Sequence, residues 1–200
     1  PRFGRIMPDK FIPVNQLRGT IRYIDLFVMD TVCALLGRRT AAGERALPIS
    51  LNFSRATLLE PGIADTIAGI AERHGAPRNL ISIEITEGFG DMDYETLSRI
   101  GGGIRRAGFL LSLDDFGAKF SNLKILSAVR FHEIKIDKSI VDRVLSNTMS
   151  RAIIRSITQL CDQFNIISVA EGVETEAQLA AVRELGCRCA QGYLIDKPVP

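Results

Sequence analysis

Residues 81–86 read Ile-Ser-Ile-Glu-Ile-Thr, and this stretch decides the fold class. Isoleucine alternates with a polar residue, which is the period of a β-strand that has one aliphatic and one polar face. A helix is predicted after it at Tyr94–Arg106, and Gly108 lies just beyond, where helices often stop. A strand that leads into a helix is the repeating unit of a parallel sheet.

The same alternation extends in both directions along the chain. The predicted strands span 47–52, 80–86, 109–115, 133–137, 166–170 and 189–192. The predicted helices span 17–36, 63–73, 94–106, 123–127, 150–163 and 176–185. This order predicts an α/β protein, and we expect a TIM-like (β/α) barrel. A complete barrel typically needs about 250 residues, so we expect the first one or two strand units to lie outside this chain.

Length and composition set the class of protein. The 200 residues are enough for one domain with a substantial core, and we predict a single, partial domain over 1–200. The net charge of +2 argues against binding of long nucleic acid. The sequence shows no signal peptide and no apolar run of membrane-spanning length, so we predict no direct membrane insertion of this chain and a location in the cytoplasm, either free or as the cytoplasmic part of a membrane-anchored protein.

Polar residues occupy the ends of the predicted strands. Asn52, Glu84, Asp114 and Lys135 lie at the carboxyl ends of four of them. A half-exposed antiparallel sheet would also have a polar face, but the intervening helices favour a parallel sheet that is covered on both faces. In a barrel, catalytic groups lie at the carboxyl ends of the strands, so we predict that these side chains converge there.

A cluster of carboxylates at one place restricts the chemistry. Neighbouring carboxylates repel each other, and a cation between them removes the repulsion. Oxygen ligands from Asp, Glu and Asn suit Mg²⁺ or Mn²⁺, and neither His74 nor His132 is placed to join them. Two such cations together favour in-line displacement at a phosphate. The sequence therefore predicts a metal site for phosphate chemistry.

Seven short motifs, in order along the chain, resemble those of the EAL family of cyclic-di-GMP phosphodiesterases. They are Pro8-Asp9-Lys10-Phe11-Ile12-Pro13, Asn52-Phe53-Ser54, Glu84-Ile85-Thr86-Glu87, Leu113-Asp114-Asp115-Phe116-Gly117, Ile134-Lys135-Ile136-Asp137, Ala170-Glu171-Gly172-Val173-Glu174 and Gln191-Gly192-Tyr193. The resemblance implies an EAL-type, TIM-like barrel that hydrolyses cyclic-di-GMP to pGpG with Mg²⁺ or Mn²⁺ in bacterial second-messenger signalling.

The resemblance also implies a role for each site residue. Asn52, Glu84 and Asp114 would be metal ligands, and Asp115 would serve the second metal and anchor its loop. Lys135 would hold the attacking water or a phosphate oxygen. Glu171 would act as a general base or as a ligand of the second metal.

Other residues and partners follow from the same resemblance. Glu87 would brace the loop after Asp115, and Glu174 and Gln191 would complete the site. Family members often dimerise through the region after this loop, so a homodimer is expected as a possible assembly. We also expect additional sensory or GGDEF domains in the parent protein.

Two departures from the family pattern keep alternatives open. The family's Glu-x-Leu-x-Arg motif, whose Glu is a metal ligand and whose Arg contacts phosphate, precedes the counterpart of Pro8–Pro13 and is expected to lie outside this chain. We therefore expect the 200-residue chain by itself to hydrolyse cyclic-di-GMP poorly. Ala118 and Lys119 replace the threonine and glycine usual in active members, and Lys119 is interpreted either as part of a weakened loop or as a solvated residue. The alternatives to an active phosphodiesterase are a degenerate domain that binds cyclic-di-GMP or a protein, and an unrelated metal-dependent barrel hydrolase.

Overall fold

The structure, a computed structural model, describes residues 6–118 and 124–197. The helices are α1 (Pro8–Leu17), α2 (Ile21–Ala41), α3 (Arg55–Leu58), α4 (Ile63–Arg73), α5 (Tyr94–Arg106), α6 (Lys124–Ala128), α7 (Lys138–Val141), α8 (Thr148–Gln163) and α9 (Glu176–Glu184). The strands are β1 (Ile49–Asn52), β2 (Ile81–Thr86), β3 (Leu110–Phe116), β4 (Glu133–Ile136), β5 (Ile167–Ala170) and β6 (Cys189–Ala190). Short 3₁₀ turns lie at Arg78–Leu80 and Glu87–Asp91.

The strands form one sheet in chain order, from β1 to β6. The pairings of β3 with β4, β4 with β5, and β5 with β6 are parallel. Ile136 at the end of β4 lies opposite Ala170 at the end of β5, so the residues that follow these two strands leave the sheet at the same edge. This is the edge at which the sequence predicts the site.

Helices α4 and α5 have the bounds that the sequence predicts, whereas α2 does not. We predicted a helix over 17–36, but Leu17 ends α1 and α2 continues to Ala41. The last turn of α2 contains Arg38 and Arg39, whose charges favour the carboxyl end of a helix. Gly43 then adopts a φ of 69°, a left-handed conformation that terminates helices. The apolar pattern stops one turn before the helix does.

The helices α1, α3 and α7 were not predicted, although the sequence contains capping signals for each. Pro8 occupies the first turn of α1, where its missing N–H is tolerated. The Ser54 side chain accepts a hydrogen bond from the Thr57 N–H at the start of α3. The Asp137 carboxylate accepts one from the Ser139 N–H at the start of α7. Two motif residues, Ser54 and Asp137, therefore act as helix caps.

The chain divides into two compact units. The first comprises Pro1–Ile83 and Gly103–Leu110, and the second comprises Glu84–Gly102 and Leu111–Pro200. Met29, Leu36 and Ile67 are fully buried or nearly so in the first unit, and Leu113 and Ile134 are fully buried in the second. The single domain over 1–200 stays a prediction.

Helix α2 has 21 residues, a length that could cross a bilayer, but it includes Arg22, Asp25, Asp30, Arg38 and Arg39. Within residues 6–118 and 124–197, no helix is both long enough and apolar enough to span a membrane.

Candidate metal and active site

The second unit brings a buried lysine together with carboxylates from neighbouring strands. Lys135 lies on β4, Asp114 on β3 and Glu84 on β2, and Glu171 follows β5 directly. Because successive strands of this sheet are neighbours, side chains at their carboxyl ends lie within reach of one another. This convergence was predicted from the alternation of polar and apolar residues.

The lysine ammonium is the centre of the cluster. Lys135 Nζ lies 3.0 Å from Glu84 Oε1, 2.9 Å from Asp114 Oδ1 and 2.7 Å from Glu171 Oε1. The exposed fractions of the side chains are 8% for Lys135, 4% for Glu84, 13% for Asp114 and 16% for Glu171. One positive charge thus faces three carboxylates with little water around them.

Burial and ion pairing affect the two candidate catalytic groups differently. Burial by itself would lower the pKa of Lys135, but hydrogen bonds to Glu171 and Asp114 and the charge of Glu84 outweigh it and raise the pKa above its ordinary value. Burial raises the pKa of Glu171, and the hydrogen bond from Lys135 only partly opposes it. Lys135 is therefore a fixed positive charge. Additional positive charge near Glu171 would favour the ionised form of its carboxylate.

An irregularity in β3 places two consecutive carboxylates on the same side. On a regular strand, Asp114 and Asp115 would point to opposite faces. The pairing of β3 with β4 shifts register between Leu113 and Phe116, and Asp115 adopts a φ of 55°. This left-handed conformation is uncommon outside glycine, although aspartate tolerates it better than most residues. A bulge of this kind redirects a side chain.

Three carboxylates meet as a result. Ligand oxygens of Asp114, Asp115 and Glu171 all lie within 4.8 Å of one another. Carboxylate oxygens at this spacing fit a hard divalent cation. The single charge of Lys135 is smaller than the summed charge of Glu84, Asp114 and Glu171, which contact it, so this cluster also favours a bound cation.

Glu87 lies just after β2 and contacts the loop that follows β3. Its Oε2 accepts a hydrogen bond of 3.3 Å from the Gly117 N–H. Gly117 has a φ of 92°, and a Cβ there would lie 2.5 Å from Ile140 Cδ1, so this position requires glycine. The contact is the one expected of a residue that braces the loop after Asp115, and the role itself stays a prediction.

Glu174 and Gln191 contact groups outside the Lys135 cluster, and their role in completing the site stays a prediction. The Glu174 carboxylate lies 2.7 Å from Lys138 Nζ instead of joining Lys135. The Gln191 side chain is exposed, while its N–H donates to the Ala170 carbonyl at 2.8 Å and its carbonyl accepts from the Val173 N–H at 3.0 Å. Both residues therefore hold the backbone beside Glu171. Lys138 is not among the site residues predicted from the sequence, and its contacts are visible only in the structure.

Asn52 and Lys119 cannot be placed in the same cluster. Asn52 is exposed at the end of β1 and belongs to the first unit, so its role as a ligand stays a prediction. Lys119 lies outside the described residues. The stretch Glu95–Arg99 matches Glu-x-Leu-x-Arg letter by letter, but it lies within α5, whereas the family motif precedes the counterpart of Pro8–Pro13.

The chain matches a known family over nearly its whole length. The family model described as "EAL domain" matches residues 1–198. The chain belongs to the EAL-domain family. The recognition made from the seven motifs is therefore confirmed. The family match covers both compact units.

Curated relatives are considerably longer than this chain. It is 33% identical to the oxygen sensor protein DosP of Escherichia coli over 100% of the chain and 25% of DosP. It is 30% identical to the bifunctional diguanylate cyclase/cyclic di-GMP phosphodiesterase MucR of Pseudomonas aeruginosa, over 100% of the chain and 29% of MucR. The chain thus spans roughly a quarter of the length of these relatives.

Solved EAL structures share the fold. The PaMucR phosphodiesterase in complex with c-di-GMP matches 100% of this chain and 81% of its own, with 30% identity and a TM-score of 0.91. A manganese/cy-diGMP complex of Klebsiella pneumoniae BlrP1 matches 86% of this chain and 44% of its own, with 26% identity and a TM-score of 0.77. The predicted EAL-type, TIM-like α/β fold is confirmed.

Proposed function

We propose that this chain is the catalytic part of a metal-dependent phosphodiesterase that hydrolyses cyclic-di-GMP to pGpG in bacterial second-messenger signalling. The observation that supports it most is the contact of Lys135 Nζ with Glu84, Asp114 and Glu171 at 2.7–3.0 Å in a largely buried cluster. Similarity to the c-di-GMP complex of PaMucR supports the choice of substrate.

The carboxylates near Lys135 would hold the cations. Asp114, Asp115 and Glu171 have oxygens close enough to share one ion, and Glu84 and Asn52 are further candidates from the family resemblance. We propose Mg²⁺ or Mn²⁺, in a site for two ions, since all the candidate donors are oxygens. When bound, such ions lower the pKa of water and offset the charge of a phosphodiester.

The chain's own side chains would divide the remaining work. Lys135 stays protonated, so it donates hydrogen bonds and stabilises negative charge on a phosphate oxygen or an attacking water. Glu171 lies 2.7 Å from that ammonium and has a raised pKa, which suits a group that accepts a proton from water. Lys135 would thus orient Glu171 as well as the substrate.

Retention of this donor set favours hydrolysis over a degenerate binding domain. A receptor that only binds the dinucleotide has no need for a base beside a cluster of metal ligands. The hydrogen bond from the Gly117 N–H to Glu87 would also hold the backbone next to Asp115 despite Ala118.

Partners and location follow from the proposed activity. The ligand would be cyclic-di-GMP, with no role for long nucleic acid. The parent protein would contain sensory or GGDEF domains in addition, as the greater length of the relatives suggests, and a homodimer is a possible assembly. We propose a cytoplasmic location for the domain.

Release of pGpG from cyclic-di-GMP tests the proposal. We expect release by the parent protein with Mn²⁺ or Mg²⁺, its loss with EDTA, and its recovery when the cation is returned. Asp114→Asn should slow the reaction by about 100-fold or more, the typical effect of removing a positioned electrostatic group. Arg188→Met, which removes an exposed ion pair with Asp162, should leave the rate unchanged. Hydrolysis that resists EDTA would contradict the proposal.

A further inference from the structure

We propose that Lys138 is a positioning residue for Glu171, because it clamps the segment Glu171–Glu174 from α7. The inference rests on the proposed function, in which Glu171 is a metal ligand or base. Lys138 is the first residue of α7 and lies three positions after Lys135. It contacts the segment through both its aliphatic stem and its ammonium group.

The stem lies against the backbone of Gly172. A Cβ at Gly172 would lie 2.4 Å from Lys138 Cγ, 2.6 Å from Cδ and 2.8 Å from Cβ, so the lysine stem occupies the space where a side chain would otherwise be. Gly172 also has a φ of 69°, which favours glycine. The residue that follows Glu171 is therefore packed directly on Lys138.

The ammonium holds the other end of the segment. Lys138 Nζ lies 2.7 Å from Glu174 Oε1 and 3.0 Å from Asp142 Oδ1, so it links the segment to α7. The Glu174 N–H in turn donates to Gln178 Oε1 at 2.9 Å, within the capping box of α9. Glu174 is thereby held from two directions.

A backbone hydrogen bond fixes Glu171 from the strand side. Its N–H donates to the Ile136 carbonyl at 3.0 Å, which continues the pairing of β4 with β5. Beyond this bond, the direction of the Glu171 carboxylate depends on the course of the backbone through Gly172. Lys138 fixes that course together with the Gln191 backbone, and so it affects the contact of Glu171 with Lys135.

The clamp is exposed, which separates positioning from stability. The exposed fractions are 47% for Lys138, 44% for Asp142 and 48% for Glu174. Exposed ion pairs contribute little to the free energy of unfolding. Loss of the clamp should therefore change the geometry around Glu171 while the chain remains folded.

Binding of Mn²⁺ to the full chain, measured by the disappearance of the free-ion EPR signal, tests the inference. Lys138→Ala removes stem and charge and should weaken binding by about 10-fold or more, as removal of a partner of a metal ligand does. Lys138→Met keeps the aliphatic stem and should weaken Mn²⁺ binding less. The Mn²⁺ affinity of Lys138→Arg should lie within about twofold of the wild-type affinity, since arginine keeps both an aliphatic stem and the charge.

The matched control is Arg188→Met, because Arg188 and Asp162 form a similarly exposed pair in the same unit. It should bind Mn²⁺ like wild type. Glu174→Gln added to Lys138→Met should have no further effect, because both changes break the same contact. Equal Mn²⁺ affinity of Lys138→Ala and wild type would overturn the inference.

Hydrogen exchange separates this inference from the proposed function. The amides of Glu171 and Val173 are bonded to the Ile136 and Gln191 carbonyls, and both should exchange faster in Lys138→Ala than in Arg188→Met. Absence of Mn²⁺ binding by wild type would contradict the proposed function, and exchange would still decide whether Lys138 holds the segment. Equal exchange in the two variants would overturn the clamp in either case.

Discussion

Two lysines three residues apart pair with carboxylates in very different surroundings. Lys135 is 8% exposed and contacts Glu84, Asp114 and Glu171, whereas Lys138 is 47% exposed and contacts Asp142 and Glu174. The distances are alike, between 2.7 and 3.0 Å at both centres. Lys135 has one more carboxylate partner, but burial is the larger difference, because charges interact more strongly where water is excluded.

The difference in burial indicates different roles for Lys135 and Lys138. At Lys135 the electrostatic interaction is strong enough to matter for both chemistry and folding. At Lys138 water screens the charges, so the contact adds little to stability. Its proposed effect is to position the segment Glu171–Glu174. Glu171 joins the two centres, since its carboxylate contacts Lys135 and the next residue packs on Lys138.

Removal of the buried charge should have the largest effect. Lys135→Met leaves Glu84, Asp114 and Glu171 without their counter-charge, and we expect pGpG release to fall by about 100-fold or more. Without a cation, the variant should also lose about 3–5 kcal/mol of unfolding free energy, as when one partner of a buried ion pair is removed. Urea unfolding with and without Mn²⁺ measures this, and Mn²⁺ should restore part of the loss. If Lys135→Met were as stable and as active as wild type, the claim that the buried lysine has the larger effect would be wrong.

Loss of the loop brace should have an intermediate effect. Glu87→Gln keeps the size of the side chain but replaces the charged acceptor of the Gly117 N–H by a weaker neutral one. We expect the turnover rate to fall by about 10-fold, in the range for partners of metal ligands, with a smaller change in KM. Steady-state kinetics with Mn²⁺ separates the two constants. A change confined to KM would show that the loop affects binding instead of catalysis.

The exposed lysine should have the smallest effect on stability. Lys138→Met should lower the unfolding free energy by about 0.2–1 kcal/mol, which shifts Tm by at most about 4 °C for a chain of this size. Thermal unfolding without metal, run beside Lys135→Met, measures the contrast directly. Equal losses in the two variants would show that burial does not separate the two centres.

The regular parts of the site could be predicted from the sequence. The two-residue period of 81–86 places Glu84 on the polar face of a strand, and Lys135 ends the next-but-one strand in the same way. Because parallel strands end at one edge, their convergence follows from geometry.

The irregular parts could not be predicted in this way. Strand parity places Asp115 opposite Asp114, and only the bulge in β3 brings them together. Sequence patterns do not encode such a bulge, so the family motif alone pointed to Asp115. Lys138 has the pattern of an ordinary surface residue, and its contact with Glu174 depends on the register of β4 against β5. Ser54 and Asp137 are residue types that favour helix N-caps, but α3 and α7 are only four residues long, too short for an apolar helical period to show in the sequence.

The central claim is that the carboxylates around Lys135 hold a divalent cation. Anomalous diffraction from crystals grown with Mn²⁺ tests it most directly. The account predicts a manganese peak within bonding distance of Asp114, Asp115 and Glu171, and the loss of that peak in Asp114→Asn. A saturated crystal with manganese only at other residues, or a peak that survives Asp114→Asn unchanged, would contradict the account.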